Sequence, residues 1–283
     1  MNSFVPEQPV WQCPACRTPL HLSQRQWRCE NGHCYDVAKQ GYVNLLLAQQ
    51  RNSKAPGDNN DMIMARRAFL QAGYYQPLAD TLSELLINLA PKPLRLFDAG
   101  CGEGYYLGEI AKRLDRESIE YSLQGIDISK PAVQKAAKHH KVGAFAVASC
   151  FNIPLPASSQ QGVVQVFAPS SPAEIRRILT DDGVWLVAEP GERHLYALKA
   201  SVYDQPELHT QTDAAPEGFE QIAHRQVAFD FTLATAEQRE NLLMMTPFYW
   251  QISETKKQRL LKTLSLVGAD FSVRVYKPKS VAQ

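Results

Sequence analysis

Residues 94–106 (LRLFDAGCGEGYY) constrain the fold more than any other stretch of this chain. Leu94, Leu96 and Phe97 mark a short buried strand, and Gly100, Gly102 and Gly104 then remove the Cβ atoms that would keep a ligand off the backbone. Residues 103–113 follow as an amphipathic helix. A strand, a glycine turn and a helix start form the nucleotide-binding corner of a Rossmann-like sheet, although the same pattern also serves as a plain tight turn. Asp98 narrows the choice. In dinucleotide sites this turn receives a pyrophosphate, which an aspartate at the strand end would repel. An acid there suits a cationic head, such as the amino-acid end of S-adenosylmethionine. Asp127 closes the next apolar-rich run, 121–126, where the second strand of such a fold offers a carboxylate to ribose hydroxyls. S-adenosylmethionine is the expected ligand, with a dinucleotide, or a capping aspartate on a structural turn, as the alternatives.

A chain of 283 residues exceeds one small core and accommodates one large domain with a satellite. Its 45% hydrophobic and 21% charged residues are those of a soluble globular protein, and no apolar run reaches the roughly 20 residues that span a bilayer. The start lacks a charged flank followed by an apolar core, so a cytoplasmic protein without a membrane partner is expected. The formal net charge of +1 hides a gradient. Residues 1–75 hold 8 basic and 5 acidic side chains, 76–253 hold 15 and 22, and 254–283 hold 7 and 2. Any polyanion would meet the two ends rather than the middle. Lys256, Lys257, Arg259 and Lys262 read equally well as the solvated face of a helix.

Residues 11–36 form a separate unit. Cys13 and Cys16 make a Cys-x-x-Cys knuckle, and Cys29 follows after twelve residues with His33 and Cys34 behind it. Two such pairs on short hairpins close a tetrahedral metal site, the zinc ribbon. A disulfide lacks a secretory context here, and a redox Cys-x-x-Cys would open a helix rather than sit among Pro14, Pro19 and polar turns. The fourth ligand stays open between His33 and Cys34, with His21 a remote third. Four protein ligands leave no position for water, so the metal would be structural. Trp11 and Trp27 would pack this small core, or stack on a base.

Beyond the ribbon, the polar stretch 51–60 with Arg51 and Lys54 reads as a linker. A helix from Asp61 would bury Met62, Ala65, Phe69 and Leu70 and leave Arg66 and Arg67 on its other face. Residues 73–77 break it, a second helix covers 78–89, and the first strand follows. A helix, a strand and a glycine turn in this order begin a class I methyltransferase domain.

Taken together, these stretches resemble the 23S ribosomal RNA (guanine-N1)-methyltransferases along nearly the whole chain. The resemblance lies in the spacing of Cys13, Cys16, Cys29 and His33, in 41–46 (GYVNLL), Gly57 with Asp58, 65–70 (ARRAFL), Gly73 with Tyr75 and Pro77, 98–106 (DAGCGEGYY) and 246–248 (TPF). It implies a class I S-adenosylmethionine methyltransferase fold, an α/β domain with a Rossmann-like seven-stranded sheet, preceded by a small N-terminal zinc ribbon. It implies one structural zinc ion on Cys13, Cys16, Cys29 and His33, with Cys34 a departure from the polar residue usual there. It implies S-adenosylmethionine contacts from Tyr75, Gly100, Gly102, Glu103, Gly104, Tyr106, Leu107, Asp127 and His194, which Asp98 joins through the charge argument above. Methylation at N1 of a hairpin-loop guanine in 23S rRNA and a homodimer are further implied. The expected organisation is a ribbon over 1–40, a linker and helical lead-in over 41–93, and the methyltransferase domain over 94–283.

Helices over 131–140, 172–179 and 235–245 and strands over 144–148, 162–167, 184–188, 227–233 and 271–276 would complete the sheet, with an antiparallel hairpin at its edge. Residues 204–226 read as irregular. Ala148 and Ser149 would lie at the adenine edge. Phe167 stands where the resembled family has a tyrosine, and Asp181, Asp182 and Gly183 replace its Pro-Gly-Gly. His194 is a cofactor contact or simply a helix-start histidine. Methyl transfer to guanine N1 needs an unpaired or flipped base, alignment, and an exit for the N1 proton. Glu189 is a candidate proton acceptor or a buried glutamate capping a helix, and the catalytic residue stays unassigned. Arg51, Lys54, Arg66 and Arg67 would contact phosphates, with the ribbon choosing the hairpin by shape. Two other classes stay open: a methyltransferase for a small molecule or protein with the ribbon as a lid, and a non-catalytic zinc-containing RNA-binding protein.

Overall fold

The computed structural model describes residues 11–50, 57–211 and 214–279, so Arg51 and Lys54 lie outside the described residues. Three short strands come first, β1 (His21–Ser23), β2 (Gln26–Arg28) and β3 (Cys34–Asp36), antiparallel in that order. Trp11 and Leu20 anchor this small unit and are fully buried, while Trp27 is partly covered against the same core. Burial therefore makes Trp11 a packing residue and takes it away from base stacking.

After β4 (Val43–Asn44), helices α1 (Asn60–Gln71) and α2 (Gln76–Leu89) lead into β5 (Leu94–Ala99), α3 (Tyr105–Arg116), β6 (Tyr121–Asp127), α4 (Lys130–His139) and β7 (Gly143–Val147). The second half runs β8 (Gln160–Val166), α5 (Pro172–Ile178), β9 (Leu179–Pro190), α6 (Tyr196–Val202), β10 (Phe219–Thr232), α7 (Ala236–Met244), α8 (Glu254–Thr263) and β11 (Leu266–Pro278). Most helix starts follow from side chains that accept the free N–H groups of the first turn. Asn59 does so for α1, Ser129 for α4, Ser171 for α5, Thr235 with Gln238 in a capping box for α7, and Ser253 for α8. On α1 the buried residues are Ile63, Ala65, Phe69 and Leu70, and Met62 is only half-buried. Ile63 shares the inner face because it lies two helical turns from Leu70.

The strands form one eight-stranded sheet in the order β10-β11-β9-β8-β5-β6-β7-β4. Those from β4 to β9 pair in parallel, and β11 runs antiparallel to both β9 and β10. Seven strands are the expected sheet; β4 is an addition supplied by the lead-in. It forms because Tyr42 and Leu46 face one apolar cluster and Val43 and Leu45 the other, as a strand covered on both faces requires. The hairpin also differs from expectation, since β10 starts at Phe219, inside the stretch read as irregular. An edge strand needs only one apolar face, and a bulge between Gln221 and Ala223 breaks the alternation that would have revealed it.

The chain winds away from β5 in both directions, through β6 on one side and β8 on the other. The crevice at the carboxyl ends of these strands is the switch point where such sheets hold ligands. The connection from β7 to β8 carries no helix among the described residues. Trp11, Cys13 and Leu20 of the ribbon fill that face instead, in one cluster with Ile153, Leu155 and Val163. The Gln12 N–H donates to the Pro154 carbonyl (2.8 Å) and the Arg17 guanidinium to the Ile153 carbonyl (3.1 Å). The ribbon is thus a layer of the sheet domain. No helix among the described residues is long and apolar enough to cross a membrane.

Candidate metal centre and active site

The Sγ atoms of Cys13, Cys16 and Cys29 and a ring nitrogen of His33 lie within 4.8 Å of one another. Cys16 and Cys29 sulfurs are 3.8 Å apart, and His33 Nδ1 is 3.6 Å from Cys13 Sγ and 3.4 Å from Cys29 Sγ. A tetrahedral ion with bonds of about 2.3 Å to sulfur and about 2.0 Å to nitrogen has edges of about 3.8 and 3.5 Å. The set therefore fits zinc. Cys34 is exposed and donates to the Gly32 carbonyl (3.3 Å), and His21 is exposed on β1, so it is His33 that completes the cluster able to hold an ion. Hydroxyls of Tyr35 and Thr18 stand 3.3 and 3.2 Å from the sulfurs of Cys13 and Cys16. The Thr18 hydroxyl is the leading cause that pushes the Cys16 thiol down to about 5, towards the thiolate a metal needs.

At the sheet's carboxyl edge, Gly100, Gly102 and Gly104 adopt φ of 87°, 54° and 86°, the left-handed region that favours glycine. A Cβ on Gly100 would run into Ala168, and one on Gly104 would come within 2.8 Å of His140, whereas one on Gly102 would meet nothing within 4 Å. The outer glycines allow close packing, and the middle one leaves backbone bare towards open space. Helix α3 begins on Gly104 without a side-chain cap, so its first N–H groups are available to a ligand. Asp127 shapes the turn: Oδ2 accepts from the Gly102 N–H (2.9 Å) and Oδ1 from the Ser129 N–H (2.7 Å). Burial raises its carboxyl, and these two N–H groups oppose the rise. A carboxylate has about four lone-pair sites, so capacity remains for hydroxyl donors.

Asp98 is 2% exposed, and burial, followed by the charge of Asp127, pushes it up to about 8. No hydrogen-bond donor meets it among the described residues. A cation beside it would restore the charged form.

Tyr75 and His194 are both buried and in direct contact. His194 Nδ1 accepts from the Asp270 N–H (3.2 Å), which puts the ring proton on Nε2, 3.3 Å from the Tyr75 hydroxyl oxygen. Burial first, then His209, pushes His194 down to about 4, so the imidazole is neutral at pH 7. Tyr75 accepts from it and keeps its own hydroxyl proton for another acceptor. The loop that carries His194 is moored by Asp270, a residue that no motif in the sequence singles out. Its carbonyl accepts from the Gly191 N–H (2.7 Å), Oδ2 accepts from the Arg193 N–H (3.0 Å), and the Gln226 amide donates to Oδ1. A Cβ on Gly191 would collide with this carboxylate.

Tyr106 is half-buried, and Leu107 is fully buried behind Gly125, where an added Cβ would come within 3.1 Å of it. Ala148 and Ser149 are buried just past the end of β7. Glu103 is buried and ion-paired with Arg67; burial raises its carboxyl and Arg67 opposes. Arg66 is paired with Asp58. Both arginines expected at phosphates thus hold a carboxylate, and Arg67 serves the buried Glu103 where α1 lies against α3 and α4. The reading of Glu189 as a buried helix cap is corrected. This glutamate is half-exposed, caps no helix, and accepts from Arg274 (3.0 Å) because β9 sets it opposite Ser272 of β11, two residues from that arginine. On α8, Lys256 pairs with Asp204 and Lys257 with Glu240.

Two family models match the chain, one described as "RlmA, N-terminal" over residues 11–54 and one as "Methyltransferase domain" over residues 91–246. The 23S rRNA (guanine(748)-N(1))-methyltransferase of Streptomyces fradiae is 42% identical over 190 residues, 66% of this chain and 65% of that protein, just under two thirds of its length. A provisionally named 23S rRNA (guanine-N(1)-)-methyltransferase of Micromonospora griseorubida is 36% identical over 211 residues, 67% of this chain and 68% of that protein. One of Bacillus subtilis (strain 168), also provisionally named, is 30% identical over 277 residues, 94% of this chain and 95% of that protein. Because this last alignment takes in 94% of this chain and 95% of that protein, the chain as a whole belongs to the 23S rRNA (guanine-N1)-methyltransferase family.

Proposed function

We propose that the protein transfers the methyl group of S-adenosylmethionine to N1 of a guanine in a hairpin loop of 23S rRNA. The observation that carries this is the docking of the ribbon beside the cofactor crevice: Trp11 and Leu20 pack with Ile153 and Leu155, just past β7, in a chain similar to enzymes named for that reaction. The RNA is thereby offered a zinc-held surface next to the strand ends where a base must enter. The protein would work in the cytoplasm, as a homodimer.

Bound in the crevice, S-adenosylmethionine supplies a sulfonium methyl. The chain aligns it. The bare backbone of Gly100, Gly102 and Gly104, flanked by Tyr106 and Leu107, receives the ligand, Asp127 faces its hydroxyls, and Asp98 takes its ammonium. Tyr75 directs its hydroxyl proton at an acceptor such as the ligand carboxylate, held in that orientation by neutral His194. Glu103 acts through Arg67, steadying the start of α3 against α1. Guanine N1 carries a proton near neutral pH, so the base must be unpaired and that proton must leave. His194 has both ring nitrogens engaged and does not take that proton, which leaves to solvent or to another base.

Reverse transcription of large-subunit RNA from cells with and without the gene tests this. A methyl on N1 blocks copying, so a strong stop at one guanine is expected to vanish on deletion and return on complementation. An unchanged stop pattern overturns the RNA assignment.

A further inference from the structure

We infer that the ring of Phe167 is the surface on which the target base stacks, a purine subsite at the mouth of the cofactor crevice; this rests on the reading of the protein as an RNA guanine methyltransferase. Phe167 has a φ of 53°, in the left-handed region that bulky side chains avoid. Such a backbone persists only where the surroundings over-determine it. Here the restraints are visible. The Phe167 N–H donates to the Ala188 carbonyl (3.1 Å), the Gln165 amide donates to the Ala168 carbonyl (2.5 Å), and the Ser170 hydroxyl donates to Gln165 Oε1 (2.6 Å). Core packing does not explain the side chain, because the residue is 44% exposed. Glycine would suit this backbone and a polar residue this surface, yet an aromatic stands there.

The position of the ring relative to the cofactor turn is fixed as well. Ala168 lies so close over Gly100 that an added Cβ would collide, which locks the Phe167 loop to the glycine turn across the neighbouring strands β8 and β5. His194 and Phe271 back the ring, with centroids 5.5 and 5.7 Å away. His194 is itself held at both nitrogens, so this backing is rigid. What remains is a flat apolar surface beside the cofactor turn. A base that leaves its neighbours loses stacking, and an aromatic face restores it without reading base identity. The ring carries no hydroxyl, so it neither donates to the base nor takes its proton. Its contribution is orientation: it sets the edge of an unpaired purine towards the methyl donor.

The test uses the full-length, zinc-loaded protein with Phe167→Ala, Phe167→Leu, Phe167→Tyr and Phe167→Trp. Methyl transfer to a 23S rRNA hairpin transcript and calorimetric binding of S-adenosylhomocysteine are measured on each. Loss of one stacked base corresponds to a fall of about 5- to 150-fold, expected in kcat/KM for RNA in the Ala and Leu variants. Leu keeps apolar volume without a flat face, which separates stacking from packing. Tyr and Trp are expected to stay within about threefold of the parent, and S-adenosylhomocysteine affinity within about twofold throughout. Parent-like kcat/KM in Phe167→Leu overturns the proposal, as does loss of activity in both ring-bearing variants. Cofactor affinity falling in step with activity overturns it too, by making Phe167 a cofactor contact. If the unaltered protein binds cofactor but leaves guanine N1 unmodified, the RNA reading itself fails, an outcome distinct from any failure of the variants.

Discussion

Replacing Asp98 with asparagine probes the amino-acid end of the cofactor crevice through proton counting. The buried Asp98 carboxyl is pushed up to about 8, so at pH 7 about nine molecules in ten carry it protonated. An α-amino group ordinarily titrates at about 7.7–8.0, so about 85% of the ligand arrives as the ammonium. Separately the two groups hold about 1.8 protons; paired as carboxylate and ammonium they hold one, so binding at pH 7 releases about 0.8 proton. His194, pushed down to about 4, stays neutral throughout this window and adds nothing. Isothermal titration calorimetry in two buffers of different ionisation enthalpy reads the number directly. In Asp98→Asn only the ligand amine titrates, and it takes up about 0.15 proton, so the sign reverses. Affinity should rise about eightfold from pH 6 to pH 7, peak near pH 8, and fall as the amine loses its charge. The free protein should follow the opposite course. The native value near 8 exceeds the unfolded value of about 3.9, so the native state binds more protons between them, and stability falls as pH climbs through that interval. No proton release by the parent, or equal release by Asp98→Asn, would refute the assignment of Asp98 to the ammonium.

Chelating the zinc should lower the melting temperature of the whole sheet domain by about 5 °C or more, measured calorimetrically, because Trp11 and Leu20 share a core with Ile153 and Leu155. Cys34→Ser should retain the metal and His33→Ala should lose it, read by metal analysis of the purified proteins. Gly191→Ala pushes a methyl group into the Asp270 carboxylate and shifts the loop that carries His194, so cofactor Kd should rise about tenfold, or about 1.4 kcal/mol. Arg67→Ala leaves buried Glu103 without its cation and should cost about 3–5 kcal/mol in urea unfolding. Pairing Arg67→Met with Glu103→Leu should recover most of that loss.

What the sequence reveals is the chemistry that is local along the chain. Cys13, Cys16 and Cys29 announce a metal through their spacing, which leaves the fourth ligand open between His33 and Cys34, and Gly100, Gly102 and Gly104 announce a bare turn through the lack of side chains. Residues whose environment comes from distant elements stay hidden. Helical periodicity leaves Arg66 and Arg67 facing solvent, but Asp58 and Glu103 reach them from other segments. Glu189 meets Arg274 only because β9 and β11 lie side by side, and Asp270 moors the His194 loop from the same strand with only Gly191 as a distant hint. β4 is too short to show a period, and the bulge near Gln221 masks the start of β10. The left-handed backbone of Phe167 runs against its intrinsic preference, so sequence alone argues for the wrong conformation.

Nucleoside mass spectrometry of a 23S rRNA hairpin transcript, after incubation with the purified zinc-loaded protein and S-adenosylmethionine, bears most directly on the reaction. 1-Methylguanosine at a single loop guanine is the expected product, absent when that guanine is replaced by adenine. A methyl group on any other atom, or an unmodified transcript from protein that still binds the cofactor, would contradict it.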